Sequence, residues 1–215
     1  MIKVEGIEVW GFEHAIRGMR NPLNSWAKSD SAVAFADEAI YTNCIGPNDL
    51  DLMRRLYNAG PEHRKYLRQI FISLDITAPL YWWKEFDTYK IGTVSNSCST
   101  MHKIHAKEFT VDDFSLEHVT EGNLVGFKEY VLNCLNTARD NFIETKDKKW
   151  WWQMIQLLPS SYNQKRTITM NYENAITMIR QRSGHKLDEW NEFVDILKGL
   201  PHLKEITEKA GDYHA

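Results

Sequence analysis

The sequence is poor in cysteine, proline and glycine and has no long apolar run. Its three cysteines, Cys44, Cys98 and Cys134, stand far apart among 215 residues, with no C-x-x-C pair. An odd and scattered set argues against a zinc ribbon or a disulfide framework and fits reduced thiols. Six prolines and 11 glycines exclude a collagen-like or low-complexity chain. No stretch of about eighteen apolar residues occurs, so no membrane-spanning helix is expected. Met1-Ile2-Lys3-Val4-Glu5 lacks the basic region and apolar core of a signal peptide, and a cytoplasmic location is the expectation. Cations are not in excess: 26 Lys and Arg stand against 29 Asp and Glu, a net charge of −3. Without a strongly basic domain, nucleic acid is not the expected partner.

What is present is an ordinary globular composition with unusually many aromatic rings. Hydrophobic residues make up 43% and charged residues 26%, which suits one domain over residues 1–215. A chain of this length buries about 70% of its unfolded surface and needs no staple. Aromatics reach 12% with eight tryptophans, including Trp82-Trp83 and the run Trp150-Trp151-Trp152. Rings at this density either fill a core, the commoner reading, or wall a pocket for a flat ligand.

The periodicity of apolar residues changes along the chain. Residues 31–41 read as a helix with Val33, Phe35, Ala36 and Ile40 on one side. Asn48 or Asp49 can cap a helix through Tyr57, which Gly60-Pro61 stops. Ile70, Ile72, Leu74 and Ile76 alternate with less apolar residues, a strand period. Pro79 opens a helix over residues 80–89, followed by a small, hydroxyl-rich stretch over 92–100. The strongest helical pattern covers 123–142, and another covers 147–158 before Pro159. Residues 166–170 read as a strand, 174–182 and 187–197 as helices parted by Ser183-Gly184, and the tail after Pro201 as peripheral. Helices and strands in this order give an α+β chain without Rossmann alternation and without G-x-G-x-x-G.

Few residue sets point to chemistry. His102, His105, Glu108 and His118 could approach a metal, but H-E-x-x-H spacing is absent and a structural role is the commoner outcome, so no metal is assigned. Cys98 lies in S-N-S-C-S-T near His102, where a thiolate could be activated; a buried inert thiol is the commoner case. The segment 84–96 leads charged residues into small hydroxyl residues. Such a segment is either a phosphate cradle with Lys90 as its cation or a solvated helix end. Arg182 ends an apolar helix; it either grips a ligand with its guanidinium fork or caps the helix dipole.

Taken together these blocks resemble the flavin-dependent thymidylate synthase (ThyX) family. The match is best over residues 157–190: Leu158-Pro159, a strand from Thr167, Asn171, a helix to Arg182, His185, then Asp188-Glu189-Trp190. The steps of twelve residues from Pro159 to Asn171 and eleven from there to Arg182 are similar to the family's. One residue is missing between Arg182 and His185. In the central motif, Lys84-Glu85 stands for an Arg-Gln-type pair and Thr88-Tyr89-Lys90 for R-H-R. Thr93, Ser95-Asn96 and Cys98 then follow the family's Ser, Asn-Glu and Ser; a shift by one matches Asn96 and Ser99 directly. Both registers stay open. The paired arginines and a final Arg-Tyr are absent, and Ile155 stands where the family has another arginine.

The resemblance implies a small, mainly antiparallel sheet flanked by long helices, and a homotetramer with active sites at subunit junctions. It implies reductive methylation of deoxyuridylate (dUMP) at C5, with methylenetetrahydrofolate as carbon donor, FAD as hydride carrier and NADPH as reductant. Lys90, Thr93, Asn96 and Asn171 are the implied cofactor contacts, and Glu85, Ser99 and Arg182 the implied substrate contacts. No protein nucleophile is implied, because the flavin carries the chemistry and the chain supplies positioning and electrostatics. The departures leave two alternatives: a protein of this fold that binds a nucleotide or flavin without making thymidylate, and an oligomeric interaction protein that lost the pocket.

Overall fold

A computed structural model describes residues 2–36 and 40–208 of the chain. Its elements run β1 (Lys3–Trp10), α1 (Phe12–Arg20), β2 (Ala32–Ala36), β3 (Ile40–Cys44), α2 (Pro47–Ala59), β4 (Phe71–Pro79) and α3 (Leu80–Phe86). There follow β5 (Val94–Ser97), α4 (Thr100–Lys103), α5 (Glu121–Gly126), α6 (Asn133–Thr145), α7 (Lys148–Leu157), β6 (Asn163–Asn171), α8 (Tyr172–Arg182), α9 (Asp188–Lys198) and α10 (Leu203–Thr207). The fold is α+β, a single domain with a small antiparallel sheet and many helices.

The sheet has the order β1-β4-β6-β5, with every pair antiparallel. β4 is its centre. Ile72, Leu74, Ile76 and Ala78 are buried, while Phe71, Ser73, Asp75 and Thr77 between them are half-buried. That alternation is what a strand with one packed face requires. β6 lies against β4 from Phe71↔Asn171 to Pro79↔Asn163. Its buried Ile168 and Met170 continue the same face.

α3, α8, α9 and α10 supply the core's other side. Trp82 sits 4.9 Å from Trp83, 5.1 Å from Phe86, 4.8 Å from Trp190 and 5.4 Å edge-on to Phe193, ring centre to ring centre. Each such contact contributes roughly 0.5–1.5 kcal/mol beyond area burial. Trp82, Trp83 and Trp190 are therefore core, whereas Trp10, Trp26 and Trp152 are exposed. A second apolar cluster gathers Phe109, Phe114, Leu132, Leu135 and Met154 between α6 and α7. It is tied to the sheet by Leu80 N–H to Tyr162 O (3.0 Å) and Ser115 N–H to Ser161 O (2.8 Å).

Several sequence expectations need correction. Where a helix is expected over 31–41, residues 32–36 and 40–44 are strands: β2 and β3 pair antiparallel, from Ala32↔Cys44 to Ala36↔Ile40. Ala-Val-Ala-Phe-Ala alternates at period two, and Ile40-Tyr41-Thr42 is β-branched and aromatic, so strand preference prevails. Residues 37–39, in the middle of the expected helix, lie outside the described residues. Neither Asn48 nor Asp49 caps α2; Gly46 does, and the Asp30 carboxylate accepts the N–H of both Asn48 (2.9 Å) and Asp49 (3.1 Å). The stretch 92–100 holds the edge strand β5, and the long helical pattern 123–142 is interrupted by a π-helical turn over Phe127–Leu132. After Pro201 the chain turns back inward: Leu203 and Ile206 are buried. Residues 209–215 lie outside the described residues.

One buried ion pair fixes the hairpin to the body. Asp49, fully buried, takes the Arg20 guanidinium on Oδ1 (2.6 Å). Its Oδ2 accepts the Ser29 hydroxyl (2.7 Å), the Ser31 hydroxyl (2.6 Å) and the N–H groups of Asp30 and Ser31. Burial opposes ionisation, but hydrogen bonds from Ser31, Ser29, Arg20 and the Asp30 backbone outweigh it and hold the carboxyl at about 2.

Candidate functional site

The turn after α3 and one side of α8 enclose a cleft of about 620 Å³. Lys90, Gly92 and Asn171 line it together with Arg68, Asn174 and Gln181. The turn is shaped by glycine: Gly92 has φ +77°, and a Cβ there would stand 2.8 Å from Asn171 Nδ2 and 2.9 Å from Asn174 Oδ1. Asn174 donates to Ile91 O at 2.8 Å and so clasps the turn onto α8. Asn171 is the N-cap of α8, with Oδ1 accepting the Asn174 N–H at 3.0 Å. Its Nδ2 makes no hydrogen bond among the described residues.

The cleft favours an anion. Lys90 is exposed without an acidic partner among the described residues. Arg68 and Arg64 share the Glu173 carboxylate, with Arg64 Nε 3.3 Å from Oε1. Thr93 follows Gly92, and its Oγ1 is buried without a partner among the described residues. An unsatisfied hydroxyl beside a cationic turn is a donor in want of an acceptor. Arg68 carries no signal in the sequence beyond its charge; the fold brings it to the cleft from just before β4.

The substrate contacts implied for Glu85 and Arg182 lie beside this cleft, joined to it through Tyr89. Arg182 Nη1 is 2.8 Å from Glu85 Oε2, its Nε donates to the Tyr89 hydroxyl at 2.9 Å, and its guanidinium lies 4.7 Å from the centre of the Trp190 ring. Glu85 Oε2 also accepts from Trp190 Nε1 at 3.1 Å and stands 3.4 Å from His185 Nε2. Tyr89 donates onward to Gln181 at 3.0 Å. Arg182 is thus neither a lone buried cation nor a solvated helix end.

The other implied contacts fall elsewhere. Asn96 is exposed on β5 opposite Thr167, four residues from Asn171 along β6, roughly 13 Å at strand rise. Ser99 caps α4: its Oγ accepts the N–H of Met101 and His102 and lies 2.7 Å from His102 Nδ1. His102 therefore engages Ser99. Cys98 is exposed, its backbone N–H bonded to Lys165 O. Among the described residues no three His, Cys, Asp or Glu side chains converge as a metal site.

A polar network with no signal in the sequence lies on the other side of α3. Arg166 stacks 4.2 Å over the Trp83 ring, and its guanidinium reaches Asp87 at 2.7 Å and Gln164 at 2.9 Å. Gln164 in turn donates to Cys98 O at 2.7 Å. The network pins β5 and the end of α3 to β6, which sets the position of the turn between them.

No protein-family model matches the chain, and no curated protein matches it by sequence. Solved structures do match. Thymidylate synthase X from Helicobacter pylori, crystallised with FAD and dUMP, superposes with a TM-score of 0.65 at 16% identity, covering 96% of each chain. A second structure of the flavin-dependent synthase from the same organism, also complexed with FAD and dUMP, gives a TM-score of 0.66 at 17% identity over 95% of this chain and 97% of that one. The chain therefore has a ThyX-like fold over about 96% of its length. No helix among the described residues is long and apolar enough to cross a membrane.

Proposed function

We propose that the chain is a divergent flavin-dependent thymidylate synthase that binds FAD and dUMP and methylates dUMP, with methylenetetrahydrofolate and NADPH as co-substrates. The observation that carries this reading is the cleft of Lys90, Gly92 and Asn171 on a ThyX-like fold. A bound flavin would supply hydride transfer. Lys90 and Arg68 would hold its phosphate charge, the Thr93 hydroxyl and Asn171 Nδ2 would donate to it, and Gly92 leaves the backbone open to close approach. Asn96, on the same sheet face as Thr167 and Asn171, would meet a more distant part of the cofactor. Arg182, with Glu85 as its internal partner, would meet the nucleotide, with Ser99 as a further contact. The expected assembly is a homotetramer with sites shared between chains, in the cytoplasm, where three free thiols stay reduced.

One observation favours a second reading. Arg182 is already neutralised by Glu85, and in either register of the resemblance the R-H-R arginines are absent, with Lys90 the cation kept near them. A binding site that gives up a charged bidentate pair forgoes about 2–5 kcal/mol, so a binder without synthase activity is the alternative. Visible absorption of purified protein, with FAD titration if it is colourless, tests the cofactor. Tritium release from C5-labelled dUMP tests the reaction. Flavin binding with no dUMP-dependent release selects the second reading, and binding of neither ligand refutes both. Light scattering tests the tetramer.

A further inference from the structure

α8 separates two cavities. Asn174 and Gln181 face the cleft described above, whereas Ile176, Ile179 and Arg180 line a second cavity of about 400 Å³ on another side of the helix. That volume lies within the small-molecule range of about 300–1,000 Å³. Its floor is apolar: Tyr57 from α2, Ile176 and Ile179 from α8, and Leu203 from α10. Its rim is cationic, with Arg180, Lys198 and Lys204 arriving from three different helices. Lys198 is held by Asp195 at 2.8 Å. Arg180 and Lys204 are exposed and have no acidic partner among the described residues. The acid at the end of α10, Glu208, turns away to Arg54 at 3.7 Å.

We propose that this cavity binds a small amphipathic carboxylate, its apolar body on Tyr57, Ile179 and Leu203 and its carboxylate between Arg180 and Lys204. Two features select that class. An apolar surface between packed helices gains free energy when a hydrocarbon replaces water on it. Like charges converging on one rim repel each other, and an anion seated between them turns that repulsion into attraction. A neutral hydrocarbon would leave the rim unanswered, and a fully polar anion would leave the floor wet. Neither FAD nor dUMP, assigned to the far side of α8, is needed for this site.

The test uses the full chain and decanoate, below its micelle-forming range, in isothermal titration, with decanol and decylammonium as matched neutral and cationic probes. Decanoate is expected to bind at least about tenfold more tightly than decanol, and decylammonium not to bind, because the rim discriminates by charge. The paired reversal Arg180→Glu with Lys204→Glu lies on exposed positions and should remove that preference while leaving the melting temperature near the parent's. Thr207→Trp should fill the cavity and abolish binding of decanoate and decanol alike. No decanoate binding, equal binding of decanoate and decanol, or binding indifferent to both variants would each overturn the proposal.

Discussion

Replacing Arg182 by alanine removes its ion pair with Glu85 (2.8 Å), its hydrogen bond to Tyr89 (2.9 Å) and its place over the Trp190 ring (4.7 Å). Hydrogen bonds involving a charged partner contribute about 1.5–3 kcal/mol each, and a half-desolvated cation–π contact about 1 kcal/mol. Both figures need discounting. The Glu85 side chain is 36% exposed, so water takes up part of what the guanidinium leaves, and Trp190 Nε1 and His185 remain as neighbours. A net loss of about 2 kcal/mol follows, or about 4–8 °C in Tm for a chain of this size, read by thermal unfolding without ligand. Glu85→Gln should cost less than about 1 kcal/mol, since the amide oxygen still accepts from both donors and only the charge is lost. The two variants should then diverge with ligand. Arg182→Ala weakens dUMP binding, whereas Glu85→Gln tightens it, because a phosphate or uracil oxygen no longer competes with an internal carboxylate for Arg182. An unchanged Tm for Arg182→Ala would show that the guanidinium is solvated. A Glu85→Gln variant that binds dUMP as poorly as Arg182→Ala would show that Glu85 holds the ligand directly.

Other perturbations separate stability from binding. Asp49→Asn leaves the buried Arg20 guanidinium without its counter-charge and should cost about 3–5 kcal/mol in denaturant unfolding. In the parent, the depressed Asp49 carboxyl contributes roughly 2 kcal/mol that is fully present above its ordinary value of 3.8 and lost as pH falls towards about 2. A parent stability profile flat across that window would refute the assignment. Gly92→Ala forces a side chain to φ +77° against Asn171 and Asn174, so calorimetry should show a loss of about 1–3 kcal/mol together with weaker ligand binding in the cleft. Lys90→Ala should leave Tm unchanged and weaken flavin titrations most at low salt, the deficit shrinking as ions screen the phosphate contact; a salt-independent deficit would argue for an interaction other than charge.

The parts of the fold legible in the sequence are those where one period runs unbroken over a packed face. β4 shows its alternation because every second residue meets the core, and α8 and α9 show their stripes for the same reason. The paired strands β2 and β3 read as a helix in the sequence because the alanines satisfy either period, leaving Val33, Phe35 and Ile40 to suggest a helix face. The N-terminus of α2 is misleading because Asn48 and Asp49 are good capping types, while Gly46 holds the N-cap position and the carboxylate that accepts the Asn48 and Asp49 N–H groups is Asp30's, eighteen and nineteen residues away along the chain. A long-range cap leaves no local pattern. Asp49 is freed by it to serve as the buried partner of Arg20, a pairing no window along the sequence contains.

The site divides along the same line. Lys90 and Asn171 are legible from sequence because they sit in two short blocks, and the structure brings those blocks together through the Asn174–Ile91 hydrogen bond, with Gly92 shaping the turn between them. Arg68, Gln164 and Arg166 are invisible there because Arg68 lies just before β4 and the other two lie on β6, and their neighbours are fixed only by sheet order β1-β4-β6-β5. Glu85 is legible as a position but not as a charge with consequences. Only in space does its carboxylate meet Arg182, Trp190 and His185 at once, and that meeting changes what Arg182 can do. A guanidinium already bonded to an internal carboxylate offers an incoming phosphate an exchange of partners in place of a vacant charge, and exchange yields less binding free energy than capture. If the chain makes thymidylate, the binding that compensates must come from the Lys90 cleft or from a neighbouring subunit. Deoxyuridylate affinity that rises steeply with protein concentration, in step with assembly measured by light scattering, would identify the subunit as the source; affinity independent of assembly would assign it to the cleft.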